Sequence, residues 1–274
     1  MVQTPIDVLA IDPSARRLIV IESDGAVADA RQSATGPDRA QIASTAVKVG
    51  LAASAGLPGL VLASLIAAKT LANMQSSRRT EPILRITRSE AAPLALPPGH
   101  PRERTLYVAH PTNPKLYYAA ASFHRLAFEH KFAEAMDLLM HLGAKTIRVE
   151  HVQGWSRDFA ANLTVPLRAV NVDAKADGHT SENAKLLYEA QLDGGHAPVL
   201  PSGMVWYPHE PTWQSVAQAR MKFGLRDFSL TLIYDEDFGV NASLETQVTG
   251  LGLQLGGKFN SHESTVWRFA GTFG

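Results

Sequence analysis

Five of the ten histidines of this 274-residue chain fall between positions 110 and 151, and this density suggests metal binding or acid–base chemistry. A metal site requires several ligands that converge on one point. His124 and His130 are six positions apart on a predicted helix, so they do not share a face. Only His130 and Glu134, four positions apart, face the same side. Two groups do not make a metal site, and we therefore expect hydrogen-bonded histidines and no bound metal.

A second group of polar and aromatic side chains follows a predicted strand over residues 145–151. The last residue of this strand, His151, is followed closely by Trp155 and Arg157. Together with His130 and Glu134, these three residues are candidates for a pocket that a soluble enzyme would use. The alternative interpretation is that Trp155 packs a loop against the end of the strand.

Sequence motifs of the common enzyme classes are missing. The chain has no GxSxG, HExxH, Walker-type or GxGxxG pattern, and it contains no cysteine. The lack of cysteine excludes disulfides, thiolate nucleophiles and cysteine-ligated metal sites. Three consecutive acids at residues 235–237 lie between predicted strands, and we expect them to be solvated. The sequence predicts no catalytic residue and no cofactor, and therefore a non-enzymatic function.

The elements around these residues predict an α+β fold. Residues 105–109, 117–142 and 145–151 are predicted as a strand, a long helix and a second strand, with Gly143 at the end of the helix. We expect the two strands to pair in parallel across the helix, because a helical crossover connects parallel strands.

Alternation with a period of two dominates the C-terminal region and predicts an amphipathic β-meander. An antiparallel sheet with this pattern has one apolar and one polar face. The predicted strands of the meander cover residues 228–234, 240–249, 251–260 and 267–273. Before them, residues 159–176 and 184–193 are predicted as strands and residues 213–221 as a short helix. The predicted fold class is thus α+β with a mostly antiparallel sheet.

Three regions are predicted along the chain. Residues 1–90 begin with a hairpin of strands over 6–11 and 18–22 and continue into a long, apolar helical segment rich in small residues. Residues 91–104 contain four prolines and are predicted to be a linker. Residues 105–274 form the α+β domain that ends in the meander.

Charge and the N-terminal sequence limit the expected compartment and partners. Lysine plus arginine and aspartate plus glutamate number 26 each, so no strong nucleic-acid signature is present. No basic region followed by an apolar stretch occurs at the start, and we expect no classical secretion signal. A slight excess of basic residues after residue 68 favours the cytoplasm or the inner face of the cell membrane.

The most unusual segment is residues 49–68, which carry no charge and lie between Lys48 and Lys69. A helix of this length rises about 30 Å, which is roughly the thickness of the hydrocarbon core of a bilayer. Its eight large aliphatic residues provide about −2 to −5 kcal/mol of insertion free energy, which makes it a marginal span on its own. The segment is therefore either a membrane element or a buried or interface helix.

Small residues in this segment would let helices approach closely, as they do when helices associate in lipid. Pro58 either kinks one helix or lies in the turn of a helical hairpin. The residues expected to form the membrane or oligomer contact are Gly50, Ala53, Gly56, Pro58, Gly59, Leu62 and Leu65.

These features predict a membrane-associating protein, of the pore-forming or membrane-disrupting effector type, that acts through oligomerisation. Its expected partners are further copies of the chain, a lipid membrane or another protein. The sequence is also compatible with two other functions. One is a soluble oligomeric protein that binds a ligand or a partner, with residues 49–68 as a buried or interface helix. The other is a soluble enzyme with a pocket near Trp155 and His151.

Overall fold

A computed structural model of the chain describes residues 6–23, 25–27, 82–155, 186–194 and 197–274. These residues form helices and two mostly antiparallel sheets, so the predicted α+β class is confirmed. The apolar segment at residues 49–68 and the predicted strand at residues 159–176 lie outside the described residues.

The described residues group into two compact units. The first takes its residues from Met1–Ala109, Pro114–Ala119 and Ser243–Gly256, and the second from His110–Asn113, Ala120–Ala242 and Gly257–Gly274. These units do not follow the predicted bounds of 1–90, 91–104 and 105–274. The predicted division stays a prediction, because most of residues 1–90 lie outside the described ranges.

The first unit contains a four-stranded sheet of described residues, in the order β2–β1–β3–β4. Its strands are β1 (Leu18–Glu22), β2 (Ile83–Thr87), β3 (Leu106–Ala109) and β4 (Tyr117–Ala119). β1 pairs in parallel with β2 and antiparallel with β3, and β3 is antiparallel to β4. All five residues of β1 are buried, as expected for a central strand without alternation.

The predicted hairpin at the N-terminus is wrong in its first strand. Val8–Ala10 form a 3₁₀ turn, which begins because the carboxylate of Asp7 accepts the backbone N–H of Leu9 at 3.0 Å. Val8 then enters the core of the first sheet beside Ile19 and Ile21. A short apolar run can be buried as a turn as well as a strand. Here the hydrogen bond from Leu9 N–H to the Asp7 side chain stabilises the turn.

The second unit contains a sheet of described residues in the order β6–β5–β8–β7, in which all neighbours are antiparallel. One face of this sheet is packed by a long helix. The elements are α1 (Phe123–His141), β5 (Ala144–Gln153), β6 (Leu186–Gln191), α2 (Pro211–Phe223), β7 (Asp227–Tyr234) and β8 (Thr265–Phe273).

Aromatic residues fill the space between α1 and the second sheet. Phe128 and Phe132 on the helix meet the ring of Trp267 on β8 at centroid distances of 4.7 and 5.4 Å, both edge to face. Phe132 also meets Phe269 at 5.5 Å. Such contacts add about 0.5–1.5 kcal/mol each to the burial of the rings. This aromatic layer fixes the position of α1, and α1 carries His130, Lys131 and Glu134 of the site described below.

The predicted strand–helix–strand order is present, but the predicted pairing of its strands is wrong. β3 and β5 belong to different sheets, and along the chain β4 follows β3 and precedes the helix. Tyr117–Ala119 were predicted as the start of the helix; they pair with β3 because all three side chains are buried there. Gly143 has φ of 82° just after the helix, which confirms its predicted place.

The predicted meander is confirmed in two of its four strands. Phe228, Leu230, Leu232 and Tyr234 alternate inward along β7, and β8 buries Trp267, Phe269 and Phe273.

The strands predicted at 240–249 and 251–260 are wrong. Ala242–Gly250 form helix α3, in which Leu244 and Val248, four residues apart, are the buried positions. Residues 251–260, all within the described part of the chain, contribute a single bridge between Gln254 and Thr105. Leu244 and Val248 fit the two-residue period of a strand and also the 3.6-residue period of a helix, so the sequence alone did not decide between the two elements.

The alternation along β7 is open to a direct test. Leu230→Asp places a charge in the core and should lower the free energy of unfolding by about 3 kcal/mol or more. Ser229→Asp, next to it but on the exposed face, should change it by less than about 1 kcal/mol. Urea unfolding followed by circular dichroism measures both. Equal losses in the two variants would contradict the observed register.

Candidate functional site

Helix α1 places three polar side chains at one edge of the second unit. His130, Lys131 and Glu134 lie on adjacent turns, beside the apolar positions that pack on the sheet. Lys131 and Glu134 are buried although both are charged in their usual forms. Buried charges are retained only with partners, and the segment over residues 205–210 provides a partner for each of the two residues.

The carboxylate of Glu134 captures three consecutive backbone N–H groups. Its Oε2 accepts from Val205 at 2.9 Å, and its Oε1 accepts from Trp206 and Tyr207 at 2.8 Å each. Such charge-assisted bonds are roughly twice as strong as neutral ones. They fix the chain just before the 3₁₀ turn Tyr207–His209 and thus place Trp206 beside α1.

The ammonium group of Lys131 is held by three different kinds of group. It donates to the carbonyl oxygen of Ile233 at 2.7 Å and forms an ion pair with Glu210 Oε1 at 2.5 Å. It also lies 5.0 Å from the ring centroid of Trp206, within the range of a cation–π contact. The Lys131 and Glu210 side chains are only 8% and 18% exposed.

A cleft of about 510 Å³ opens beside this ion pair, and we name it the Trp206 cleft. Its aromatic lining comes from Trp206, Tyr234 and Phe238. Its other apolar lining residues are Pro111 and Ile233, and its polar or charged ones are Thr112, Lys131, His209, Glu210, Asp235 and Glu236. Small-molecule sites typically have a volume in this range.

A pair of histidines supports the far side of Trp206. The backbone N–H of Thr112 donates to His110 Nδ1 at 3.2 Å, so a neutral His110 carries its proton on Nε2. That proton is then directed to His130 Nδ1, 3.1 Å away. Burial, together with the nearby His130, lowers the pKa of His110 to about 3. The His110 ring meets Trp206 edge to face at 4.9 Å and stays neutral there.

A buried histidine also fixes Tyr234 and the loop after β7. His124 Nε2 donates to the carbonyl oxygen of Val240 at 2.6 Å, so its Nδ1 accepts the hydroxyl of Tyr234 at 3.0 Å. Burial lowers the pKa of His124, which keeps this tautomer neutral. Phe238 has a positive φ of 46° in this loop and lies 5.8 Å from the ring of Tyr234.

Metal binding was not expected from the spacing of the histidines. In the described part of the chain, no three histidine, aspartate or glutamate side chains are placed to hold a metal ion together. The carboxylates of the Trp206 cleft therefore do not converge on one point.

The described residues of the predicted pocket each have their own partners in the structure. His130 and Glu134 lie one turn apart on α1, as predicted, but Glu134 is taken up by residues 205–207. His151 donates from Nε2 to the carbonyl oxygen of Gly154 at 2.8 Å. Trp155 is buried, and its ring is stacked 5.8 Å from Tyr234, as in the packing alternative. Arg157 lies outside the described residues, so the pocket as a whole stays a prediction.

Sequence reasoning missed Lys131, Trp206 and Glu210. The signal available was the segment over residues 206–211, in which two aromatic residues precede Pro208 and a histidine and a glutamate separate it from Pro211. Such a segment is stiff and often surface-exposed, but nothing in a single sequence pairs Tyr207 with Glu134, which lies 73 residues earlier on a helix.

The membrane prediction concerns residues that the structure does not describe. Gly50, Leu62 and the other predicted contact residues of the segment lie at positions 49–68, outside the described ranges. Of the helices within those ranges, none is both long enough and apolar enough to cross a bilayer.

Comparison with known proteins assigns no family. No protein-family model matches the sequence, and neither a curated protein nor a solved structure shows significant similarity to the chain.

The anchoring role of Glu134 predicts a large effect of a small change. Glu134→Gln keeps one acceptor oxygen but turns an amide N–H₂ toward a backbone donor, and should lower the free energy of unfolding by about 2–4 kcal/mol. Asp137→Asn, on the same helix and half exposed, should change it by less than about 1 kcal/mol. Urea denaturation compares the two. Similar small effects would show that the three N–H groups do not depend on the charge of Glu134.

Proposed function

We propose that this chain is a non-enzymatic protein that binds a small organic ligand in the Trp206 cleft. The observation that carries the proposal is the Lys131–Glu210 ion pair, which is nearly buried in the wall of a cleft of ligand size. Removing two charges from water costs free energy that an apolar pair of the same volume would not cost. A protein that keeps such a pair beside a cleft gains recognition from it, not stability.

The rigidity of the wall also supports binding. Glu134 fixes the backbone before Trp206, and the His110–His130 pair supports the ring from the other side. Tyr234 is held by His124. A pre-organised wall lowers the entropic cost of ordering side chains when a ligand binds.

The four tryptophans of the chain make this proposal testable by nitrogen-15 NMR of their indole N–H groups. Trp206 lines the cleft, whereas Trp213 and Trp267 are fully buried and do not line it. In a screen of small polar metabolites, at least one compound should shift the Trp206 signal saturably and leave the Trp267 signal in place. A Trp206→Phe variant assigns the signal. A broad screen in which no compound moves Trp206, or in which all four signals move together, would refute the proposal.

A second candidate function rests on the sequence of residues 49–68. We propose that oligomers of the chain associate with membranes through this segment, which pools several marginal apolar segments in one assembly. The supporting observation is the uncharged stretch itself, with its small residues at Gly50, Ala53, Gly56 and Gly59. A ligand-binding second unit is compatible with this function, since ligand and membrane would act on different parts of the chain.

Leu62→Arg tests the membrane function. A charge near the centre of a membrane helix costs about 2.5–3.5 kcal/mol on insertion scales. The variant should keep its melting temperature but lose binding to, and dye release from, liposomes, whereas Leu62→Met should behave as the wild type. If the wild type itself stays in the supernatant with every lipid mixture, or if Leu62→Arg unfolds the protein, the segment belongs to a core or an interface.

A further inference from the structure

The wall of the Trp206 cleft already binds one alkylammonium group, which is the side chain of Lys131. A carboxylate, a carbonyl oxygen and an aromatic ring surround its nitrogen, from Glu210, Ile233 and Trp206. This is the set of groups by which proteins recognise ammonium ions in general. The side chain of Lys131 thus acts as a tethered example of the ligand chemistry that this wall accepts.

The cleft has acceptor groups beyond those that Lys131 uses. Glu210 engages Lys131 through Oε1, and its Oε2 has no partner among the described residues. Asp235 and Glu236 line the cleft and form no ion pair within the described ranges. Carboxylates therefore outnumber lysine and arginine side chains by three to one in the described lining. An anionic ligand would be repelled by this excess, and a cationic ligand would be attracted.

The arrangement of the acids selects an organic cation over a metal ion. No three acidic or histidine side chains of the described residues are close enough to share one metal ion. A cation that uses all the acids must therefore carry more than one charged nitrogen, as a polyamine does, because a single alkylammonium nitrogen is itself a point charge. The aromatic lining from Tyr234 and Phe238 suits the alkyl carbons beside such a nitrogen.

We propose that the ligand of the Trp206 cleft is an alkylammonium compound with more than one amine group, whose ammonium nitrogens bind Asp235, Glu236 and Oε2 of Glu210. This inference rests on the proposed function, since it names the class of ligand for the same cleft. The amine comes either from a free small molecule or from a lysine side chain of a partner peptide.

The two sources are separated by titrating the wild-type protein with spermidine and, in parallel, with an N-acetylated trilysine amide. The indole N–H signal of Trp206 is the readout, and that of Trp267 is the internal control. Butylamine, butanol and butyrate at equal concentration test the charge requirement. We expect shifts of the Trp206 signal with the amines and none with butanol or butyrate. The tighter of the two amine probes identifies the source.

Charge-neutralising variants locate the binding groups. The double change Asp235→Asn and Glu236→Gln should weaken amine binding about tenfold or more, because it removes two acceptors for charge-assisted hydrogen bonds. Asp227→Asn is the matched control, since Asp227 is an exposed acid at the opposite end of β7. Equal weakening by the control would show nonspecific attraction of a polycation and would overturn the site.

Lys131→Met gives a prediction of opposite sign for cationic and anionic ligands. Removing the tethered ammonium frees both oxygens of Glu210, so butylamine should bind this variant more tightly than the wild type and raise its melting temperature more. An anionic ligand would instead lose its only cation from the described lining. If Lys131→Met does not fold, the comparison of the Asp235/Glu236 double variant with Asp227→Asn decides alone.

The failure of this inference differs from failure of the proposed function. If some other compound shifts Trp206 but no amine does, the cleft is a binding site and the alkylammonium class is wrong. If butyrate shifts Trp206 and butylamine does not, the charge assignment is wrong in sign. If neither amines nor any screened compound moves Trp206, both proposals fall together.

Discussion

The bonds from the Glu134 carboxylate to three consecutive N–H groups hold the site of the second unit together. They attach residues 205–207 to a helix that is itself fixed by aromatic contacts with β8. Because these bonds fix residues 205–207, Trp206 lies against His110 and Glu210 forms its ion pair with Lys131. A buried carboxylate has a large desolvation cost, and three charge-assisted bonds offset it. The site is thus built by satisfying a polar group, while the hydrophobic layer provides the rigid base.

The fold was predictable where one burial pattern excluded the others. β7 alternates strictly between buried and exposed residues, and only a half-buried strand fits that pattern. The prediction failed where a sequence fitted two periods. Leu244 and Val248 are compatible with alternation in a strand, yet a spacing of four also places them on one face of a helix. Pairing failed for a further reason: β3 and β5 pair with strands far away in sequence, and that choice depends on the whole fold.

The site was predictable only within one element. Helical spacing correctly placed His130 and Glu134 on adjacent turns of α1. It could not provide their partners, because Trp206 and His110 lie many residues away on irregular segments. The histidines show the same limit. Their spacing predicted hydrogen-bonded histidines, but it could not identify the partners of His110 and His124 or show that burial lowers the pKa values of both. A local sequence shows the type of a residue and the face of the helix on which it lies. The desolvation that lowers a histidine pKa depends on which other segments pack against that face.

The strand order of the second sheet has a consequence for how this unit folds. β8 lies between β5 and β7, although it follows both of them in sequence. Until β8 is in place, β5 and β7 have no common neighbour, and the inner edge of β7 has unpaired backbone groups. During synthesis from the N-terminus, the sheet cannot be completed until β8, which pairs with both β5 and β7, has been made. Insertion of β8 is expected to be the slow, cooperative event of folding, and chains interrupted before residue 265 would expose a sheet edge prone to aggregation.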